Sequence, residues 1–157
     1  MTRYEVYAKP SFTANSFPWG TSQISVVTPS SSPDQSLTIT SVAAGSWTDN
    51  SKVFNFPASQ PVNDFHGVES SGSAINLVAN TESLIFTFTF PDGICRDGIR
   101  LFINNTDPSS SVNGMQGGDF RNTIYNAVLQ DVYSSNYENT GTVCVPCNII
   151  APELSKQ

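Results

Sequence analysis

The sequence predicts an all-β protein: an antiparallel β-sandwich of the immunoglobulin or cohesin kind, or its near neighbour the jelly roll, with at most one short helix. Three observations carry that expectation. Apolar residues recur at every second position far more often than at helical spacing, and β-branched and aromatic types suited to a pleated surface dominate. Pro- and Gly-rich turn signals return about every 8–12 residues. Charged residues make up only 13% of the chain, roughly half the usual share, and Ser, Thr and Asn take their place.

The elements follow in order. Tyr4, Val6 and Ala8 alternate with Glu5 and Tyr7 in a first strand. After the turn-rich Pro18-Trp19-Gly20, residues 23–27 read as a strand, and residues 29–34 as a loop or hairpin connection. In residues 36–42, Leu37 and Ile39 share one face. A strand over 52–56 is stopped by Pro57, and another covers 74–78. The strongest signal is 83–90, where Leu84, Phe86, Phe88 and Phe90 fall on one side. Burying each is worth on the order of 1.5–3 kcal/mol, which makes them the expected core anchors. Residues 99–103 are expected to be the partner strand, with 74–78 pairing nearby. Only 119–133 has helical spacing, at Ile124, Ala127, Val128 and Asp131, and there a short helix or turn competes with extended structure.

The 157 residues are the length of one domain, expected over 1–147, with 148–157 a linker or tail. Seven Lys and Arg against thirteen Asp and Glu give a net charge of -6, opposite to the basic footprint that binding to phosphates requires. The cations are scattered, and no apolar run approaches the roughly 20 residues of a membrane span. Neither nucleic acid binding nor membrane insertion is expected. The first residues lack the apolar centre of a secretory signal, so the chain reads as either a cytosolic start or a segment of a longer export product.

Cys144-Val145-Pro146-Cys147 has CxxC spacing, but no helix pattern follows it to lower a thiol pKa as redox chemistry needs. A disulfide from Cys95 to Cys144 or Cys147 would close a loop of about 50 residues and stabilise by roughly 4 kcal/mol. Cys95 to Cys144 is the favoured pairing. It leaves Cys147 as a free or interchain thiol and implies an oxidising compartment.

Tyr4-Glu5-Val6-Tyr7-Ala8-Lys9-Pro10, Ser46-Trp47-Thr48-Asp49-Asn50, the strand from Phe86 to Phe90, Gly93-Ile94-Cys95, the stretch from Leu101 to Pro108 and Val143-Cys144 follow one another. In that order they resemble a module of long secreted proteins of gliding Bacteroidota, and more broadly the cohesin-like and carbohydrate-binding β-sandwiches. The resemblance spans roughly residues 3–144 and has no catalytic signature. It implies an exported, extracellular or cell-surface protein doing adhesive or scaffolding work, with neighbouring modules or other copies as partners.

Candidate chemistry is sparse. His66 is the only histidine, in Asp64-Phe65-His66-Gly67, and no nucleophile elbow accompanies it. A loop position with a hydrogen-bonding role is expected for it. No carboxylate spacing suggests glycoside hydrolysis, so an enzyme is not expected. Asn104, Asn105, Asp107, Asn113 and Asp119 crowd one glycine-containing connection whose oxygen donors suit Ca2+, although such residues are also good turn formers. Exposed aromatic rings can carry a sugar ring on their faces. Trp19 is the preferred exposed platform, with Tyr125, Tyr133 and Tyr137 as further candidates, while Trp47 is expected at the core. The function expected is that of a non-enzymatic extracellular structural or adhesive module of a larger surface protein or filament. A carbohydrate-binding module, with polysaccharide as partner, is the first alternative. A phage or viral jelly-roll structural protein is the second.

Overall fold

The computed structural model describes residues 2–139 and 141–143. They form ten strands: β1 (Tyr4–Ala8), β2 (Ala14–Phe17), β3 (Ser22–Pro29), β4 (Thr38–Ser41), β5 (Trp47–Phe56), β6 (Asn63–Ser70), β7 (Ile75–Leu77), β8 (Ser83–Thr89), β9 (Arg100–Leu101) and β10 (Thr123–Ile124). Among the described residues there is no helix, and hence none long and apolar enough to cross a membrane. Every strand pairing is antiparallel. One sheet has the order β1-β8-β4, a second has β10-β3-β6-β5 with β9 also on β3, and β2 pairs with β7 in a separate ribbon.

The first two sheets share a core. Val6, Phe86 and Phe88 from one meet Ile24, Val26, Trp47 and Val68 from the other. The Trp47 and Phe86 ring centroids are 5.2 Å apart, and Tyr4 stacks on Phe88 at 4.9 Å. Phe86, Phe88 and Phe90 anchor this core as the alternation of residues 83–90 requires. Leu84 does not join them at full burial, whereas Ile85 is fully buried. The cause is a bulge: Val6 faces Phe86 and Tyr7 faces Leu84, so Ile85 is the extra residue and resets the alternation. Its carbonyl accepts from both Val42 N and Ala43 N, each at 2.9 Å.

A second core lies on the opposite face of the β10-β3-β6-β5 sheet. Val27, Val53 and Phe65 point into it, and Phe102, Met115 and Phe120 from the long segment after β9 close over them. The middle of β3 and β6 is therefore buried on both sides, which removes the polar-out alternation of a half-exposed strand.

Several sequence expectations are corrected here. Residues 99–103 do not pair with β8, whose neighbours are β1 and β4; β9 pairs with β3. β7 pairs with β2, not near β8. Residues 29–34 carry the chain from one sheet to the other, so β3 and β4 are not a hairpin. The possible helix over 119–133 is instead β10 followed by a turn closed by a Tyr125–Asp131 bridge. Its polar side chains favour the turn: Asn126 Oδ1 accepts from Val128 N and Gln130 N, and Asp131 Oδ1 accepts from Ile124 N and Tyr133 N. His66 is no loop residue but the centre of β6, with 0% exposure.

His66 Nδ1 lies 2.9 Å from Asp49 Oδ2, which also accepts from Leu37 N at 2.8 Å. One buried carboxylate thus joins β5, β6 and the segment that crosses between sheets. Farther along, Asn55 bulges β5 with φ of 57° and donates its N–H to Asp64 Oδ1 at 2.6 Å. Burial pushes the Asp64 carboxyl above its ordinary range.

The second edge of β3 is shared. β10 covers Ser22 and Gln23, and β9 covers Val26 and Val27. Between them the Asn122 side chain acts as a peptide group: Oδ1 accepts from Ser25 N at 2.7 Å and Nδ2 donates to Phe102 O at 2.7 Å. Asn122→Ala leaves a buried Ser25 N–H without that acceptor, and a loss of roughly 1–3 kcal/mol is expected in urea unfolding. A loss below a few tenths would mean that water replaces the amide.

At one pole the two ends of the described chain meet. Tyr4 Oη accepts from Arg96 N at 2.7 Å, and Thr142 Oγ1 donates to Arg96 O at 2.9 Å. Thr142 O also accepts from Gly98 N at 2.7 Å.

Candidate functional site

The face of the β10-β3-β6-β5 sheet that carries the second core changes character along its length, and the strand register shows how. Val27, Phe65 and Val53 lie in one cross-strand row and are covered. The next row is small: Ser25, Gly67 and Ser51. Beyond it Thr123, Gln23, Glu69 and Thr48 are successive partners across all four strands. The covering segment ends at Phe120, so this polar row floors an open cleft of about 600 Å³.

The walls and ends follow from local structure. Gln23 Nε2 donates to Asp119 O and Arg121 O, each at 2.9 Å, which fastens the covering segment to the sheet edge. Asp119 and Arg121 form a forked pair with Nη2 to Oδ2 at 2.8 Å. The guanidinium holds the Asp119 carboxyl below its ordinary range. A bulge between Asp49 and Ser51 turns Asn50 toward Glu69, and its Nδ2 donates to Glu69 Oε2 at 3.0 Å. At the far end Tyr125 is fixed by its backbone, since Tyr125 O accepts from Gly20 N at 2.6 Å. Behind it Gly72, with φ of 87°, packs so closely that a Cβ would stand 2.2 Å from Trp19 O. Only glycine suits both that conformation and that contact.

The sequence-predicted aromatic candidates divide. Trp19 is not the exposed platform expected: it is 5% exposed, with edge contacts to Phe17 and Trp47 at 6.4 Å. Trp19, Tyr133 and Tyr137 together line a different, smaller cavity of about 130 Å³ with Phe12, Phe17 and Leu77. There Lys9 Nζ sits 3.6 Å above the Tyr137 ring. Of the four, Tyr125 alone lines the polar cleft.

Three of the five candidate calcium donors are engaged by other groups. Asp107 is held bidentate by Arg100 at 2.6 and 2.7 Å and accepts from Ile103 N at 2.7 Å. Asn104 exchanges hydrogen bonds with the Asn122 backbone at 2.8 and 2.9 Å. Asn105 takes a left-handed turn conformation with φ of 64°, Asn113 is exposed, and Asp119 belongs to Arg121. Among the described residues no three His, Cys, Asp or Glu side chains are grouped to hold a metal ion. Cys144 and Cys147 lie outside the described residues, and so does the favoured pairing of Cys95 with Cys144.

Gln23, Thr48, Glu69 and Thr123 were not singled out by sequence reasoning. Each is an ordinary polar residue at the outward phase of a strand, and only the pairing register brings them together. No family model matches the chain, and no curated protein or solved structure matches it.

Proposed function

We propose that the protein is a non-enzymatic, extracellular adhesive module of a larger surface protein or filament, and that the polar cleft is its binding face. The carrying observation is the register-aligned row Thr123-Gln23-Glu69-Thr48, an open face on a sheet made rigid by a core on its other side and a second core beside it. The only histidine has no access to that face or to solvent, so acid–base work through it has no substrate. The resemblance to modules of secreted Bacteroidota proteins and the low share of charge support export.

Export also gives Cys95 a role. Thr142, two residues before Cys144, donates to the carbonyl of Arg96, the neighbour of Cys95. This supports a Cys95–Cys144 disulfide that locks the pole where the described ends meet. Peptide mapping without reduction is expected to recover Cys95 linked to Cys144, and Cys95→Ser to lose roughly 4 kcal/mol of stability. Recovery of a Cys144–Cys147 link instead would remove this part of the proposal.

The adhesive reading is tested by applying the domain, fused to a fluorescent reporter, to intact cells and extracellular matrix of its source. Retention that Thr48→Arg abolishes is the expected result. No retention, or retention indifferent to Thr48→Arg, overturns the reading.

A further inference from the structure

We infer, resting on the adhesive reading of the cleft, that its ligand is a stretch of neutral polysaccharide. The first argument is shape. Strands lie about 4.8 Å apart, so the row from Thr48 to Thr123 crosses three gaps and extends roughly 14 Å. It is a linear floor, open to solvent, that suits a chain lying across the strands.

The second argument is hydrogen-bond type. Thr48 and Thr123 offer hydroxyls that both donate and accept, and Asn50 offers an amide. Gln23 has spent its Nε2 on Asp119 O and Arg121 O, which fixes the side chain with Oε1 over Gly67, where a Cβ would stand 3.2 Å from it. A ligand rich in hydroxyls, each able to donate and accept, can match such a mixed set. An apolar peptide would leave these groups without partners, at a cost in each case.

Charge decides the rest. The cleft holds two carboxylates, Glu69 and Asp119, and one cation, Arg121, which Asp119 already engages. Its net sign is negative, in a chain of net charge -6. Uronate and sulfated chains are therefore repelled, and a neutral polyol is not. Tyr125, at the end of the floor, supplies the single ring on which an apolar sugar face can rest.

The test measures binding of the intact protein to laminarin, xylan and mannan as neutral chains, and to alginate and polygalacturonate as acidic ones, by affinity electrophoresis. At least one neutral chain is expected to bind and neither acidic chain to do so. Tyr125→Ala and Thr48→Arg are each expected to weaken that binding tenfold or more with the melting temperature unchanged. The Tyr125 backbone bonds survive truncation, and Thr48 is exposed, so both variants should fold. Binding to acidic chains alone, binding unaffected by both variants, or no binding to any of the five overturns the inference. If that happens while cell or matrix retention still depends on Thr48, the adhesive reading stands with a partner other than a neutral polysaccharide; if retention fails too, both fall.

Discussion

Phe65→Ala is expected to lower the unfolding free energy by about 3–5 kcal/mol, the usual cost of emptying a large aromatic site. Phe65 has 0% exposure and is the hub of the second core, with ring centroids of Phe56, Phe102 and Phe120 at 5.7, 6.0 and 5.6 Å. The truncation leaves a cavity that three rings, one on β5 and two on the covering segment, cannot all move to fill. Because β3 and β6 floor both cores, the damage should spread. Trp19 and Trp47 both sit in the first core, so their fluorescence reports unfolding on the side of the sheet away from the cavity. Coincident transitions by tryptophan fluorescence and far-ultraviolet circular dichroism, both shifted in Phe65→Ala, are the expected outcome. If fluorescence keeps its original midpoint, the covering segment is a separate cooperative unit and the shared-sheet account is wrong.

Asp49→Ala is expected to cost a similar amount, roughly 3–5 kcal/mol, for a different reason. Nothing large is removed. The loss comes from orphaning two buried groups at once, Leu37 N and His66 Nδ1, neither of which has solvent as a substitute. Asp49→Asn keeps an acceptor oxygen at the same place and should recover much of the loss. Chemical denaturation of wild type, Asp49→Ala, Asp49→Asn and His66→Ala checks this. A small loss in Asp49→Ala, or an Asn variant as weak as the Ala variant, would show that the carboxylate does not hold the crossing segment.

These two sites also mark where sequence reading worked and where it stopped. β1 was legible because it buries one face and its side chains alternate accordingly, and the aromatic strand β8 because Phe86 and Phe88 fall on the core side. The Ile85 bulge was not, since nothing in residues 83–90 announces an extra residue; it exists only against Val6 and Tyr7 on the partner strand. β6 escaped altogether. It is the central strand of the larger sheet, yet Asn63-Asp64-Phe65-His66-Gly67-Val68-Glu69-Ser70 reads as a polar loop. Its buried Asp64 and His66 find their hydrogen-bond partners on another strand, Asn55 N for Asp64 Oδ1 and Asp49 Oδ2 for His66 Nδ1. Missing β6 hid the cleft as well, because Glu69 is the link between Gln23 and Thr48. The calcium candidates show the same limit: acidic and amide residues signal a need for partners, but the sequence does not say whether the partner is an ion or, as for Asp107, an arginine.

The meeting of Tyr4 and Thr142 at the Arg96 peptide has a mechanical consequence for a module built into a longer fibre. Tension that enters at one of these residues and leaves at the other passes through a few bonds around residues 96–98, at the Tyr4 edge of the first core, and bypasses the second. The cleft shares no residue with that route. In the adhesive module proposed above, the body of the domain would then hang beside the line of force as a pendant, and a tug on a tether at these residues would not pry open the cleft.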